Sequence, residues 1–156
     1  MMYERLLREA SHLGIDTYEK PLPHRLKGLY SKNIILINKN MESSYEKTCI
    51  LAEELGHYYT SSGDILDQDT IEKRRQEKIA RTWAYEKLVP LSKIVEAHKE
   101  AIRNRYELAQ YLETTEEFLD NAIKRYKDRY GTTVTYGEYT ICFEPLGVIE
   151  WFDNSY

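Results

Sequence analysis

Apolar residues recur at three- and four-residue spacing along several stretches of this chain and alternate or cluster along others, a pattern that predicts helices mixed with short strands. From Tyr3 to Leu13, the residues Leu6, Leu7, Ala10 and Leu13 fall on one helical face, and Gly14 supplies the stop. The texture changes between Thr17 and Asn38. Pro21 and Pro23 interrupt the chain, a run from Leu26 to Tyr30 follows, and Ser31-Lys32-Asn33 separates it from the strand-like Ile34-Ile35-Leu36-Ile37. That order predicts a β-hairpin. Ser43 and Ser44 can cap a second helix, which Thr60-Ser61-Ser62-Gly63 would end. Asp69 to Leu88 gives the longest helical pattern, and Pro90 falls where it should stop.

Beyond Pro90 the pattern is again helical. From Ser92 to Tyr130, the segment Tyr106 to Leu112, the break Glu113-Thr114-Thr115 and the segment Glu116 to Tyr126 have helix-turn-helix proportions. From Thr132 to Phe152, Val134, Tyr136, Tyr139, Ile141, Phe143, Val148, Ile149 and Trp151 read as short strands, with Pro145 and Gly147 in a turn. The expected fold class is α+β, one domain over 1–156. Its parts are a core over 1–91, a helical segment over 92–131 and short strands over 132–156.

Composition narrows the function. A chain of 156 residues suits one core burying roughly two-thirds of its unfolded surface. A net charge of -4 gives no general attraction to nucleic acid or anionic lipid, which favours protein or peptide partners. Cys49 and Cys142 in a chain without an apolar leader or a membrane-length run point to a reducing cytoplasm. The 14 tyrosines are scattered, which suits amphipathic interfaces more than a stacking platform.

The chemistry concentrates at Glu53-Glu54-Leu55-Gly56-His57, an HExxH helix motif with its first histidine replaced by glutamate. Residues at i and i+4 share a helix face, so Glu53 and His57 can grip one metal ion while Glu54 stands beside it as a base. Glu77 on the next helical stretch is followed at helical spacing by Ala80, Ala84 and Leu88, a face small enough to pack close, and it offers a third ligand. Glu77 could also pair with Arg81 at i+4 as a surface ion pair. Gly56 inside the helix points to a close neighbour, either a packed helix or a ligand.

Leu51-Ala52-Glu53-Glu54-Leu55-Gly56-His57 resembles the LAHELGH signature of the ImmA/IrrE metallopeptidases. In that family an Ile-Asn pair precedes the motif helix, as Ile37-Asn38 does here. A pattern E-x-x-A-x-x-F-A-x-x-L-L-x-P follows, matched by Glu77, Ala80, Ala84, Leu88 and Pro90, with Trp83 for phenylalanine and Lys87 for the first leucine. The resemblance covers most of the chain. It implies a zincin-like fold with a small sheet, an active-site helix pair and a helix-turn-helix-like segment. It also implies metal ligands Glu53, His57 and Glu77, with Glu54 catalytic. Hydrolysis would run through a water activated by the metal and deprotonated by Glu54, on a phage-type transcriptional repressor, as in relatives from phages and mobile elements.

Glu53 adds a second carboxylate where the family has imidazole. That hardens the site and shifts its preference from zinc, the first expectation, toward manganese or iron(II). The alternative of a different class is a non-catalytic anti-repressor that keeps the fold and binds without cutting. Direct DNA binding is disfavoured, because Glu116, Glu117 and Asp120 open the would-be recognition helix. Cys49 lies one turn before Glu53 and reads as a buried thiol, while His12, His24 and His98 lack a supporting context.

Overall fold

The computed structural model describes residues 1–41, 43–61 and 70–150. They gather into two compact units, Met1–Leu88 and Val89–Tyr156. No helix among the described residues is long and apolar enough to cross a membrane.

In the first unit, helix α1 (Met2–His12) leads into strand β1 (Asp16–Lys20), then β2 (Gly28–Ser31) and β3 (Ile34–Asn38). The expected hairpin forms: β2 runs antiparallel to β3, with Ser31 opposite Ile34. Its two-residue turn needs positive φ at both positions, and Lys32 and Asn33 adopt 44° and 66°. Strand β1 is an addition to the expected pattern, and it pairs in parallel with the other side of β3. Only β3 is substantially buried, through Ile35 and Ile37.

Helices α2 (Ser44–Thr60) and α3 (Thr70–Leu88) complete this unit. Ser43 is the N-cap of α2, its hydroxyl accepting from the backbone N–H groups of Tyr45 and Glu46. Leu51, Ala52 and Leu55 of α2 are fully buried, as are Ala80, Ala84 and Leu88 of α3. The two helices are the most closely packed pair of the unit because α3 offers alanines at the contact. Tyr59 stacks on Trp83 at 4.8 Å between ring centres. Glu9 of α1 ties the bundle together, accepting from the Tyr59 hydroxyl at 3.0 Å and pairing with Lys87 at 2.9 Å.

The second unit holds α4 (Leu91–Lys99), α5 (Arg105–Leu112) and α6 (Glu116–Tyr130), followed by β4 (Thr133–Tyr136), β5 (Tyr139–Phe143) and β6 (Leu146–Glu150) in an antiparallel meander. The pair α5–α6, joined across Glu113-Thr114-Thr115, matches the helix-turn-helix proportions, and Asn104 and Thr115 cap the two helices. Leu112, Leu119, Ala122 and Ile141 form its core. Trp151 and Phe152, expected in the last strand, lie outside the described residues.

Three helices end in the same left-handed turn, closed by a hydrogen bond from the residue after the left-handed one back to the helix's last turn: Ile15 to Ala10, Ile102 to Ala97, and Thr114 to Ala109. The turn residues are Gly14, Ala101 and Glu113, at φ of 76°, 62° and 59°. Only glycine takes this conformation without steric cost. Ala101→Gly and Glu113→Gly are each expected to raise stability by roughly 0.5–1 kcal/mol after the entropy of the unfolded glycine is subtracted. A higher urea midpoint in both variants checks this.

Candidate active site

Glu53, Glu54 and His57 lie in the C-terminal half of α2, and Glu77 lies on α3. The contact between the helices sets their spacing. A Cβ on Gly56 would sit 2.3 Å from the carbonyl oxygen of Ala80, so α3 passes against the bare backbone of α2. That approach lets the His57 Nε2 meet the Glu77 Oε1 at 3.2 Å. The hydrogen bond to Glu77 holds the His57 imidazolium and raises its pKa, and the same bond lowers that of Glu77.

Glu53 and Glu54 are mostly buried beside this pair. Burial pushes the Glu54 carboxyl up to about 7, with His57 opposing the shift and Glu53 and Glu77 adding to it. Burial also raises Glu53, against the pull of the nearby Arg81 guanidinium, while Glu77 adds repulsion. The site therefore gathers three carboxylates and one imidazole, with Arg81 as a flanking cation. Arg81 also favours the charged form of Glu77, in keeping with their i+4 spacing.

Of the three expected ligands, the structure brings His57 and Glu77 into contact and places Glu53 in their electrostatic reach. Among the described residues, no group of three or more His, Cys, Asp or Glu side chains is arranged to hold a metal ion. The donor chemistry still suits a divalent cation, because imidazole and carboxylate oxygen meet at one point and buried negative charge surrounds them. Cys49 is buried at 4% exposure, and His24 is exposed on the proline-flanked loop.

Two residues shape the site without having been singled out for it. Gly28 on the edge strand β2 faces α2: a Cβ there would lie 2.5 Å from the Ile50 Cγ2 and 3.1 Å from the Glu54 Oε1. A side chain at 28 would press on Ile50 and Glu54. A glycine inside a strand pattern is the available signal of such an approach. Asn38, first seen only as half of an Ile-Asn landmark, is buried at the end of β3. Its Nδ2 donates to the carbonyls of Leu22 and Leu26, and its Oδ1 accepts from the Leu22 and Asn40 N–H groups. It thereby pins the Pro21–Leu26 loop just before β2.

Compared with known families, residues 10–124 match the model of the peptidase M78 group, described as an IrrE N-terminal-like domain. No curated relative matches the chain significantly.

Proposed function

Because this chain belongs to the IrrE N-terminal-like peptidase family, we propose that it is a metal-dependent peptidase directed at a phage-type repressor protein, with Glu54 as the general base. The observation that carries this reading is the placement of Glu54. Its carboxyl is buried next to the His57–Glu77 pair, within reach of the point where their donor atoms meet, and in the metal-free protein burial raises it to about 7.

His57 and Glu77 would hold the metal, with Glu53 on the same face of α2 as the third donor. A divalent cation there would acidify a water molecule and polarise the scissile carbonyl. Glu54 takes the proton of the attacking water and delivers it to the leaving amine. In the metal-free protein His57 and Glu77 hold each other in place through the 3.2 Å contact of Nε2 with Oε1, the atoms that would turn to the metal. Two carboxylates among the donors make manganese or iron(II) competitive with zinc. The repressor as target follows from the family resemblance of the motif helix and of the α5–α6 pair.

A second reading, a non-cutting anti-repressor, is favoured by one observation: the described donors do not close into a three-ligand group. Elemental analysis of the protein after equilibration with Zn²⁺ or Mn²⁺ tests the first reading, alongside His57→Ala and Glu77→Ala. The expected result is near-stoichiometric metal in the parent and at least a tenfold weaker retention in each variant, about 1.4 kcal/mol or more. Mass spectrometry of a co-incubated repressor then looks for fragments. An intact repressor held by metal-free protein would establish the second reading instead.

A further inference from the structure

We propose that the second unit carries a binding pocket for a small amphipathic anion, an apolar body bearing one carboxylate- or sulfonate-like head group. The pocket has a volume of about 700 Å³, within the range of small-molecule sites. It is walled by α4, the α4–α5 connection, α5, α6 and the β5–β6 hairpin. It shares no residue with the Glu53, Glu54, His57 and Glu77 set.

The floor is apolar. Its apolar contact surface comes from the partly exposed Ile102, Ile123, Leu146 and Val148, over the buried Ile94 and Phe143. The charges around it are mostly matched. Arg105 pairs with Asp120 at 2.9 Å, and Glu144 pairs with Lys127. Both carboxylates of the lining are therefore occupied by cations. Arg103 also lines the pocket, and its guanidinium makes no ion pair among the described residues. The lining thus has one uncommitted charge, and it is positive.

Backbone geometry places that charge. Helix α4 ends in the left-handed turn at Ala101, where the Ile102 N–H bonds back to the Ala97 carbonyl at 3.0 Å. The reversal folds Ile102 against the end of α4 as part of the wall and sets Arg103 beside it. A non-glycine residue held in this conformation costs on the order of 1 kcal/mol. A hollow with an apolar wall and one exposed guanidinium at its edge, unpaired among the described residues, fits a ligand with the complementary division.

The test is a fluorescence titration of the full chain with anilinonaphthalene sulfonate, paired with neutral phenylnaphthylamine, which has a similar shape. The expected result is one saturable site that prefers the sulfonate. Arg103→Ala should weaken the sulfonate about tenfold, one charge-assisted contact, and leave the neutral probe unchanged. Ile123→Asp, which puts a carboxylate into the apolar wall, should weaken both probes by more than about tenfold. Lys124→Ala, removing an exposed cation outside the lining, should change neither. Circular dichroism confirms folding. If Ile123→Asp fails to fold, the exposed Arg103 variant still decides. Absence of saturable binding, or equal sulfonate affinity in parent and Arg103→Ala, overturns the proposal. So does binding of an apolar, acidic peptide without binding of the sulfonate, which would make the hollow a groove for a protein segment.

Discussion

Gly56→Ala is expected to separate the site helices, although alanine is the better helix former. In an exposed helix this substitution gains about 1 kcal/mol. Here the new methyl carbon would stand 2.3 Å from the Ala80 carbonyl oxygen, 3.0 Å from its carbonyl carbon and 3.2 Å from its Cα. All three obstacles are backbone atoms, so no rotamer change can clear them, and α3 must shift bodily. Overpacking of this kind costs on the order of 1–3 kcal/mol where side chains can give way, and more where they cannot. A net loss of at least about 2 kcal/mol is expected in urea denaturation. Glu77 rides on the same helix less than one turn from Ala80, so the 3.2 Å contact with His57 opens too. Metal retention should fall with stability. Ala80→Gly should fail to rescue the variant, because it removes a methyl group and leaves the clashing carbonyl in place. A Gly56→Ala protein as stable as the parent would show that the helices lie further apart than described.

What the sequence reveals and what it hides differ in range. The hairpin is legible because the polar Ser31-Lys32-Asn33 interrupts two apolar runs, and a local turn decides the pairing. The site helices are legible because Glu77, Ala80, Ala84 and Leu88 advertise a narrow, small-residue face beside a motif that carries its own glycine. Strand β1 is not legible: its residues are nearly all exposed, and its parallel partner β3 is reached only after an intervening strand. The role of Gly28 is hidden for a similar reason, since what it avoids, Ile50 and Glu54, belongs to another element. At the site itself, Glu53 and His57 both lie in α2 at i and i+4, yet spacing does not fix where a flexible carboxylate ends. Burial, Arg81 and Glu77 act together on Glu53, and the donors come together as a pair rather than as a closed trio.

Glu54→Gln is expected to abolish peptide hydrolysis while making the metal-free protein more stable at alkaline pH. The first effect follows from the assigned role: an amide cannot accept the proton of the attacking water, and loss of a general base costs about 10²–10⁴ in rate. The second follows from burial. The Glu54 carboxyl titrates at about 7 in the folded protein against an ordinary 4.5. A group raised in this way stabilises the fold fully below its unfolded value, and that stability is lost as pH climbs through the folded one. By pH 8 the ionised carboxylate therefore costs the metal-free parent up to about 3 kcal/mol. His57, raised by its bond to Glu77, loses stability in the same direction, whereas the depressed Glu77 keeps its contribution until pH falls below the ordinary carboxylate range. Metal-free parent protein should thus melt at progressively lower temperature from pH 5 to pH 8. The Gln variant should show a shallower decline, matching the parent near pH 4.5 and exceeding it at pH 8. Thermal melts in the presence of a chelator at both pH values check the pair of curves. A variant that loses cleavage and gains no alkaline stability would mean that the carboxylate is solvated in the folded state, which would remove the physical basis for its neutral titration.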